Sequence, residues 1–227
     1  LLAGGFAVHS VIPSLYHKHR NPAVLRRTGV PGTVMLTFDD GPDPDYTGRL
    51  LDLLKKEEVK AAFFVVTREA VKEEALIDRM LSEGHVVGFH SMDHQNAMVR
   101  GYLHTRKDFR TGSEFMKRKG ISDIWYRPPW GLTNLFSWHF VRKYGMKMVL
   151  WDVMAEDWEK GATTGSIRKK CLSRVKDGSI LCLHDGGRRT GGAPGAPEKT
   201  LEALTYVIPA LKEAGCRFIL PSEAVFR

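Results

Sequence analysis

The chain has 227 residues, 43% hydrophobic and 26% charged, with a net charge of +8 at pH 7. This composition excludes a disordered chain or a coiled coil, and the length suits one domain that buries roughly 70% of the surface its unfolded form exposes. The basic excess favours an anionic partner, yet no basic block of five, zinc-finger spacing or RNA-binding signature is present, so nucleic acid is not expected.

The chain opens on Leu1-Leu2-Ala3-Gly4-Gly5-Phe6-Ala7-Val8 and reaches Pro13 before any charged group except His9. This apolar start reads as the end of a signal segment or membrane anchor, or else as an ordinary first helix. By itself it is too short to span a bilayer. Residues 1–30 are read as an N-terminal extension and 31–227 as the domain proper.

The apolar run 34–38 predicts a strand, and the stripe Leu50, Leu53, Leu54 a helix after it. Strand 61–66 follows, then a helix carrying Ala70, Ile77 and Leu81, then strand 85–89. Phe109, Phe115 and Met116 mark the next helix, 123–127 the next strand, and Phe136 with Phe140 another helix. Strand 147–153, a helix with Ile167 and Leu172, and strand 180–184 continue the alternation. The stretch 186–197 is rich in Gly and Pro and reads as a loop. A last helix carries Leu201, Leu204, Ile208 and Leu211, stops at Gly215, and leads into strand 217–220. Strands alternating with helices imply a parallel sheet. Polar clusters fall at the C-terminal ends of these strands, where parallel barrels gather their chemistry, which argues for a closed or nearly closed barrel. Cys171, Cys182 and Cys216 form no C-x-x-C pair, so no disulfide framework is expected, and Cys182 reads as an inert core thiol.

Four clusters carry chemistry. In Thr37-Phe38-Asp39-Asp40-Gly41-Pro42, adjacent strand residues point to opposite faces, so a turn is needed to aim both carboxylates at one pocket. Two close acids can then divide the work between metal ligand and base. In His90-Ser91-Met92-Asp93-His94 the two imidazoles are spaced to share one face of a turn, as metal ligands do. Two His and a carboxylate suit zinc, and non-haem iron uses a similar set. Arg127-Pro128-Pro129-Trp130-Gly131 is a stiff loop that fixes an Arg able to pair with a carboxylate and a Trp able to stack on a sugar. In Leu181-Cys182-Leu183-His184-Asp185, His184 ends a buried strand and titrates near neutrality, as a general acid must. Read singly, each cluster is equally a turn, a surface pair, a rigid loop or a core histidine.

Taken in order, T-F-D-D-G-P, H-S-x-x-H, R-P-P-W-G and L-x-L-H resemble the NodB-type polysaccharide deacetylases, carbohydrate esterase family four, from about Val34 to Leu220. The resemblance implies a single-domain α/β fold, a distorted (β/α)7 TIM-like barrel. It implies Asp39 as catalytic base and His184 as catalytic acid, with Asp40, His90 and His94 as metal ligands. Ser91 braces the histidine loop and Arg127 orients Asp39. Pro129, Trp130, Gly131, Trp158 and Leu183 are implied at the substrate, with a backbone amide near Trp130 as oxyanion donor. The implied cofactor is a divalent metal, zinc first, with Co2+ or Ni2+ as alternatives.

One departure stands out. The family's D-x-x-D-W motif has Met154 in place of its first Asp, while Asp157-Trp158 is kept. Support for His184 therefore falls to Asp157, to Asp152, or to nothing. The expected activity is removal of acetyl groups from N-acetylated sugars in a polysaccharide such as peptidoglycan or a chitin-like polymer. The rivals are an O-acetyl ester hydrolase, a cyclic-amide hydrolase and a non-catalytic glycan-binding domain. A polysaccharide partner, a monomer, and an extracytoplasmic place in the cell envelope, secreted or tethered through the N-terminus, complete the expectation. The loop 186–197, with Arg188, Arg189 and Lys199, is expected to border the cleft either as a clamp on glycan or as a passive loop.

Overall fold

In the computed structural model, which describes residues 3–226, nine strands join in one parallel sheet. They are β1 (Val24–Leu25), β2 (Thr33–Asp39), β3 (Ala62–Val65), β4 (Val86–Phe89), β5 (Trp125–Tyr126), β6 (Lys147–Val149), β7 (Val153–Met154), β8 (Ser179–His184) and β9 (Arg217–Phe218). Leu1 and Leu2 of the apolar start, and Arg227, lie outside the described residues. The strand order is β1-β6-β5-β4-β3-β2-β8-β7, with β9 beside the start of β2.

Helices cover the outside: α3 (Thr47–Lys56), α4 (Thr67–Lys72), α5 (Glu74–Ser82), α6 (Tyr102–Arg118), α7 (Ser137–Lys143), α8 (Thr164–Arg174) and α9 (Ala196–Glu213). Before them come α1 (Ala3–Phe6), a π-helical turn (Ala7–Val11) and α2 (Ile12–His19). None of the described helices is long and apolar enough to cross a membrane. The sheet curls into the distorted (β/α)7 barrel. Its seam lies between β1 and β7, where Arg27 forms a bridge with Ser179 and pairs with Asp152 at 2.9 Å.

The strands are buried on both faces, which is why they read as continuous apolar runs. Alternation still sorts their side chains. Val34, Leu36, Phe38, Leu181 and Leu183 pack outward among the helices, whereas Met35, Phe64, Trp125, Val149 and Ile180 fill the barrel. Gly88 belongs to this inner filling, because a Cβ there would lie 2.8 Å from both the Phe64 ring and the Trp125 carbonyl.

The structure differs from the sequence reading at three elements. The run 147–153 is two strands: the Leu150 N–H bonds Leu25 in β1, and the Asp152 carboxylate accepts from the Ile180 N–H of β8 at 2.7 Å. The chain changes partner in between, and the ladder breaks. The helix through Ala70 and Leu81 is interrupted at Glu73, whose φ of −114° and ψ of 43° are not helical. Strand β1 was not predicted, because two residues show no alternation. It lies within residues 1–30, so part of that extension runs in the sheet.

Candidate active site

Register assembles the site. In the β2–β8 ladder Asp39 stands opposite His184, and in the β4–β5 ladder Phe89 stands opposite Tyr126, which brings His90 beside Arg127 one residue later. Both pairs sit at the C-terminal ends of their strands. Continuing β2 alone would turn Asp40 away from Asp39. Instead Asp40 has φ 76°, so the chain reverses and both carboxylates face one cleft. Gly41 then passes so close to the buried Asp185 carboxylate that no side chain fits there. Asp185 takes a hydrogen bond from Thr47 at 2.6 Å, and burial pushes its carboxyl up to about 7.

Ser91 (φ 115°), His94 (φ 51°) and Trp130 (φ 55°) are left-handed as well. Such backbone costs of order 1–3 kcal/mol per residue, and its concentration here marks a site held against local preference. Ser91 Oγ accepts from the His94 N–H at 2.6 Å, and the Asp108 carboxylate accepts from the Met92 N–H at 2.5 Å, so the histidine loop is pinned twice. Burial pushes Asp108 up to about 7, and nothing in its helical surroundings signals this role in the sequence.

Asp40, His90 and His94 converge with one donor atom each, all within 4.8 Å of one another. His90 Nδ1 donates to the Arg127 carbonyl at 2.8 Å, which leaves Nε2 turned to Asp40 Oδ1 at 3.4 Å. His94 Nε2 lies 3.1 Å from the same oxygen, which is buried and accepts no hydrogen bond. Burial, with help from His90, pushes His94 down to about 4, so its ring is a neutral donor at ordinary pH. Burial also opposes charge on Asp40, but the close His90 imidazole and the charged His184 outweigh it and hold the carboxyl well below its ordinary range. An orphaned, charged carboxylate oxygen facing two imidazole nitrogens fits a divalent cation with positions left open.

Asp39 lies beside this cluster, with Oδ2 3.9 Å from His90 Nε2. The fully buried Arg127 guanidinium donates to Asp39 Oδ1 and Thr37 Oγ1, each at 2.7 Å, and stacks 4.1 Å over the Phe64 ring. Cys182 is the buried, protonated thiol expected from its apolar neighbours, but it borders the site as well. Alternation turns it inward, where Sγ faces Asp39 Oδ2 at 3.4 Å, and burial keeps the thiol far above its usual range. Across the cleft His184 Nδ1 donates to Asp157 Oδ1 at 2.9 Å. Asp157 Oδ2 accepts from the His184 N–H and from Thr200 Oγ1, both at 2.9 Å. Burial opposes a charged His184, yet the Asp157 carboxylate and its hydrogen bond prevail and raise the imidazole to about 9. Asp157 is thus the partner of His184, while Asp152 serves the seam.

The cleft has a volume of about 600 Å³. Trp130 and Trp158 line it, as do Met154 and Cys182, together with Trp151 and Lys18, which the sequence did not single out. Met154 therefore presents an apolar wall where the family pattern has a carboxylate. Leu183, Pro129 and Gly131 do not line the cleft: Leu183 belongs to the outward face of β8, Pro129 is buried, and the Gly131 N–H is bonded to the Pro128 carbonyl. The loop 186–197 does border it, with Thr190 Oγ1 donating to Asp40 Oδ2 at 2.6 Å. Its cations are paired within the protein: Arg188 with Asp45, Arg189 with Glu69, and Lys199 with the Ala162 carbonyl.

A parallel barrel with paired acids, a His-His-Asp cluster and a buffered histidine at one end defines a metal-assisted hydrolase of amides or esters. The polysaccharide deacetylase family profile matches residues 26–149, and the chain belongs to that family. A peptidoglycan-N-acetylglucosamine deacetylase of Bacillus cereus is 32% identical over 192 residues, covering 84% of this chain and 86% of that one. A crystal structure of a peptidoglycan N-acetylglucosamine deacetylase superposes with a TM-score of 0.80 at 32% identity, over 88% of this chain and 92% of the other. A family 4 acetyl xylan esterase from Clostridium thermocellum, in complex with a cobalt ion, gives a TM-score of 0.74 at 33% identity, over 84% and 89%.

Proposed function

We propose that this protein hydrolyses the acetamide of N-acetylated sugars in a polysaccharide, peptidoglycan or a chitin-like polymer, outside the cytoplasmic membrane. One observation carries the reading: Asp39 fixed by Arg127 and His184 fixed by Asp157 face one cleft from either side of the Asp40, His90 and His94 cluster. The relatives named for peptidoglycan deacetylation support the substrate class.

Asp40, His90 and His94 would hold a divalent metal, zinc first with cobalt or nickel as alternatives, which would supply Lewis acidity for the acetyl carbonyl and the attacking water. Asp39 takes a proton from that water, and Arg127 holds the carboxylate in line. The carbonyl carbon gains the hydroxyl oxygen, and its own oxygen takes up negative charge. In this reading the Trp130 amide donates to that oxygen, while the Gly131 amide stays bonded to the Pro128 carbonyl. His184 Nε2 then gives its proton to the sugar nitrogen as the C–N bond breaks, leaving acetate and a free amine. Asp157 holds the ring in the tautomer this needs and stabilises the imidazolium. Trp130 and Trp158 offer apolar faces to the sugar on either side.

An ester substrate is the second reading, favoured by the similarity to an acetyl xylan esterase. An alkoxide leaves more easily than an amine, so an ester needs His184 less. The test is acetate release from peptidoglycan fragments, chitooligosaccharides and acetylated xylan, with and without added zinc, cobalt or nickel. The proposal expects metal-dependent release from the N-acetylated glycans. Turnover confined to acetylated xylan overturns it in favour of the ester.

A further inference from the structure

The N-terminal helical segment is built inside out. Ser10, Ser14 and His17 are buried, at 0%, 6% and 4% exposure, while Val8, Ile12, Leu15 and Tyr16 are 48–57% exposed. The buried row is polar and satisfied. Ser10 Oγ donates to the Met98 carbonyl at 2.7 Å, Ser14 Oγ to the Thr133 carbonyl at 2.9 Å, and His17 stacks on Trp138 at 5.1 Å. The outer row recurs at helical spacing, so one apolar stripe faces solvent. A helix of a water-soluble surface has the opposite arrangement.

The apolar surface continues beyond the helix. The Leu135 N–H bonds the His9 carbonyl, and Phe136 meets both His9 and Tyr102 ring to edge. Leu135, Val99 and Leu103 next to these contacts are 53%, 67% and 74% exposed. The patch therefore spans the helical segment, residues 97–103 and the loop after Trp130. Lys18, at the end of α2, lines the catalytic cleft, so the patch flanks its mouth.

The charge around it has one sign. Residues 1–38 contain Lys18, Arg20, Arg26 and Arg27 and no Asp or Glu, and residues 94–107 contain Arg100, Arg106 and Lys107 and no Asp or Glu. Lys18, Arg20, Arg106 and Lys107 are exposed. A contiguous apolar patch edged by cations matches an interface that is apolar inside and anionic at its surface. A second copy of the chain would bring these like charges together. We propose that this face docks on the surface of an anionic lipid bilayer, with α2 lying in the plane of the interface and the cleft opening beside it. The docking stands apart from the chemistry of the cleft, and its test reads binding separately from turnover.

The full chain is sedimented with vesicles of phosphatidylcholine alone and with vesicles containing phosphatidylglycerol, at low and high salt. Binding to the anionic vesicles, weakened by salt, is expected. Ile12→Gln combined with Leu15→Gln should lower partitioning about tenfold or more while leaving deacetylation of a soluble chitooligosaccharide unchanged, since both residues face outward. Leu103→Gln, on a different helix, should weaken binding too and serves if the double variant is misfolded by near-ultraviolet circular dichroism. Failure of the native chain to bind anionic vesicles at low salt overturns the proposal. So does a dimer in sedimentation that the double variant dissociates without any loss of vesicle binding.

Discussion

Asp39 and His184 face each other across the β2–β8 ladder, each held by one charged partner. Asp39→Asn should remove turnover on amide and ester alike, by at least 10²-fold, while the metal content measured by elemental analysis stays that of the native enzyme, since the base is not a proposed ligand. His184→Ala should slow an acetamide far more than an activated aryl acetate, whose leaving group needs no proton. Equal slowing of both substrates would remove the general-acid assignment. The raised imidazole also sets a pH limit. The acid form of His184 is present below about 9 and lost above it, so activity falls on the alkaline side. A cation beside Asp40 weakens one of the carboxylate contributions and moves that limb to lower pH. Asp157→Asn should move it further, as seen in the pH profile of kcat. The same shift contributes to folding: with the folded value above the ordinary 6.5, its stabilisation is complete below that pH and gone once pH passes about 9. Cys182 shows what residue identity alone leaves out. Its neighbours are apolar, but its register position turns it to Asp39.

At the scale of elements, loops and turns hold the site while strands position it. Thr190 of the loop 186–197 donates to Asp40 Oδ2. Outer partners of a metal ligand typically matter 10–100-fold in affinity, so Thr190→Val should weaken zinc binding by about that factor in a chelator competition, with little change in Tm. The exposed pairs Arg188–Asp45 and Arg189–Glu69 that tether this loop contribute little to stability, because water screens them. Inside the barrel the tolerance is smaller. Gly88→Ala places a methyl against the Phe64 ring and the Trp125 carbonyl, and should cost about 1–3 kcal/mol, read as a lowered midpoint in urea. Phe64 in turn supports the Arg127 guanidinium, so the same variant should lower kcat as well.

For the whole molecule, folding and metal binding are separable. The barrel interior and the outer layer are both apolar, so chelation should abolish activity while the far-ultraviolet spectrum persists, and added zinc should raise Tm with concentration by mass action. Zinc affinity should weaken as pH falls below about 4, where His94 of the metal-free site takes up a proton that competes with the metal. The sequence by itself determined the alternation of strand and helix, the C-terminal placement of the polar clusters and their order along the chain. Hydrophobic period and turn residues are local properties, and each of the seven predicted strands overlaps an observed one. The tertiary structure alone decided which residues meet. Ladder register set Asp39 against His184 and turned Cys182 rather than Leu183 into the cleft. Left-handed backbone at Asp40, Ser91, His94 and Trp130 aimed side chains that regular strands would have turned away. The choice of Asp157 over Asp152 as partner of His184 likewise came from the break between β6 and β7, which sends Asp152 to the seam. Register and dihedral angles depend on contacts between distant parts of the chain, and a one-residue shift in either reverses a side chain's direction, so no local pattern in the sequence carries them.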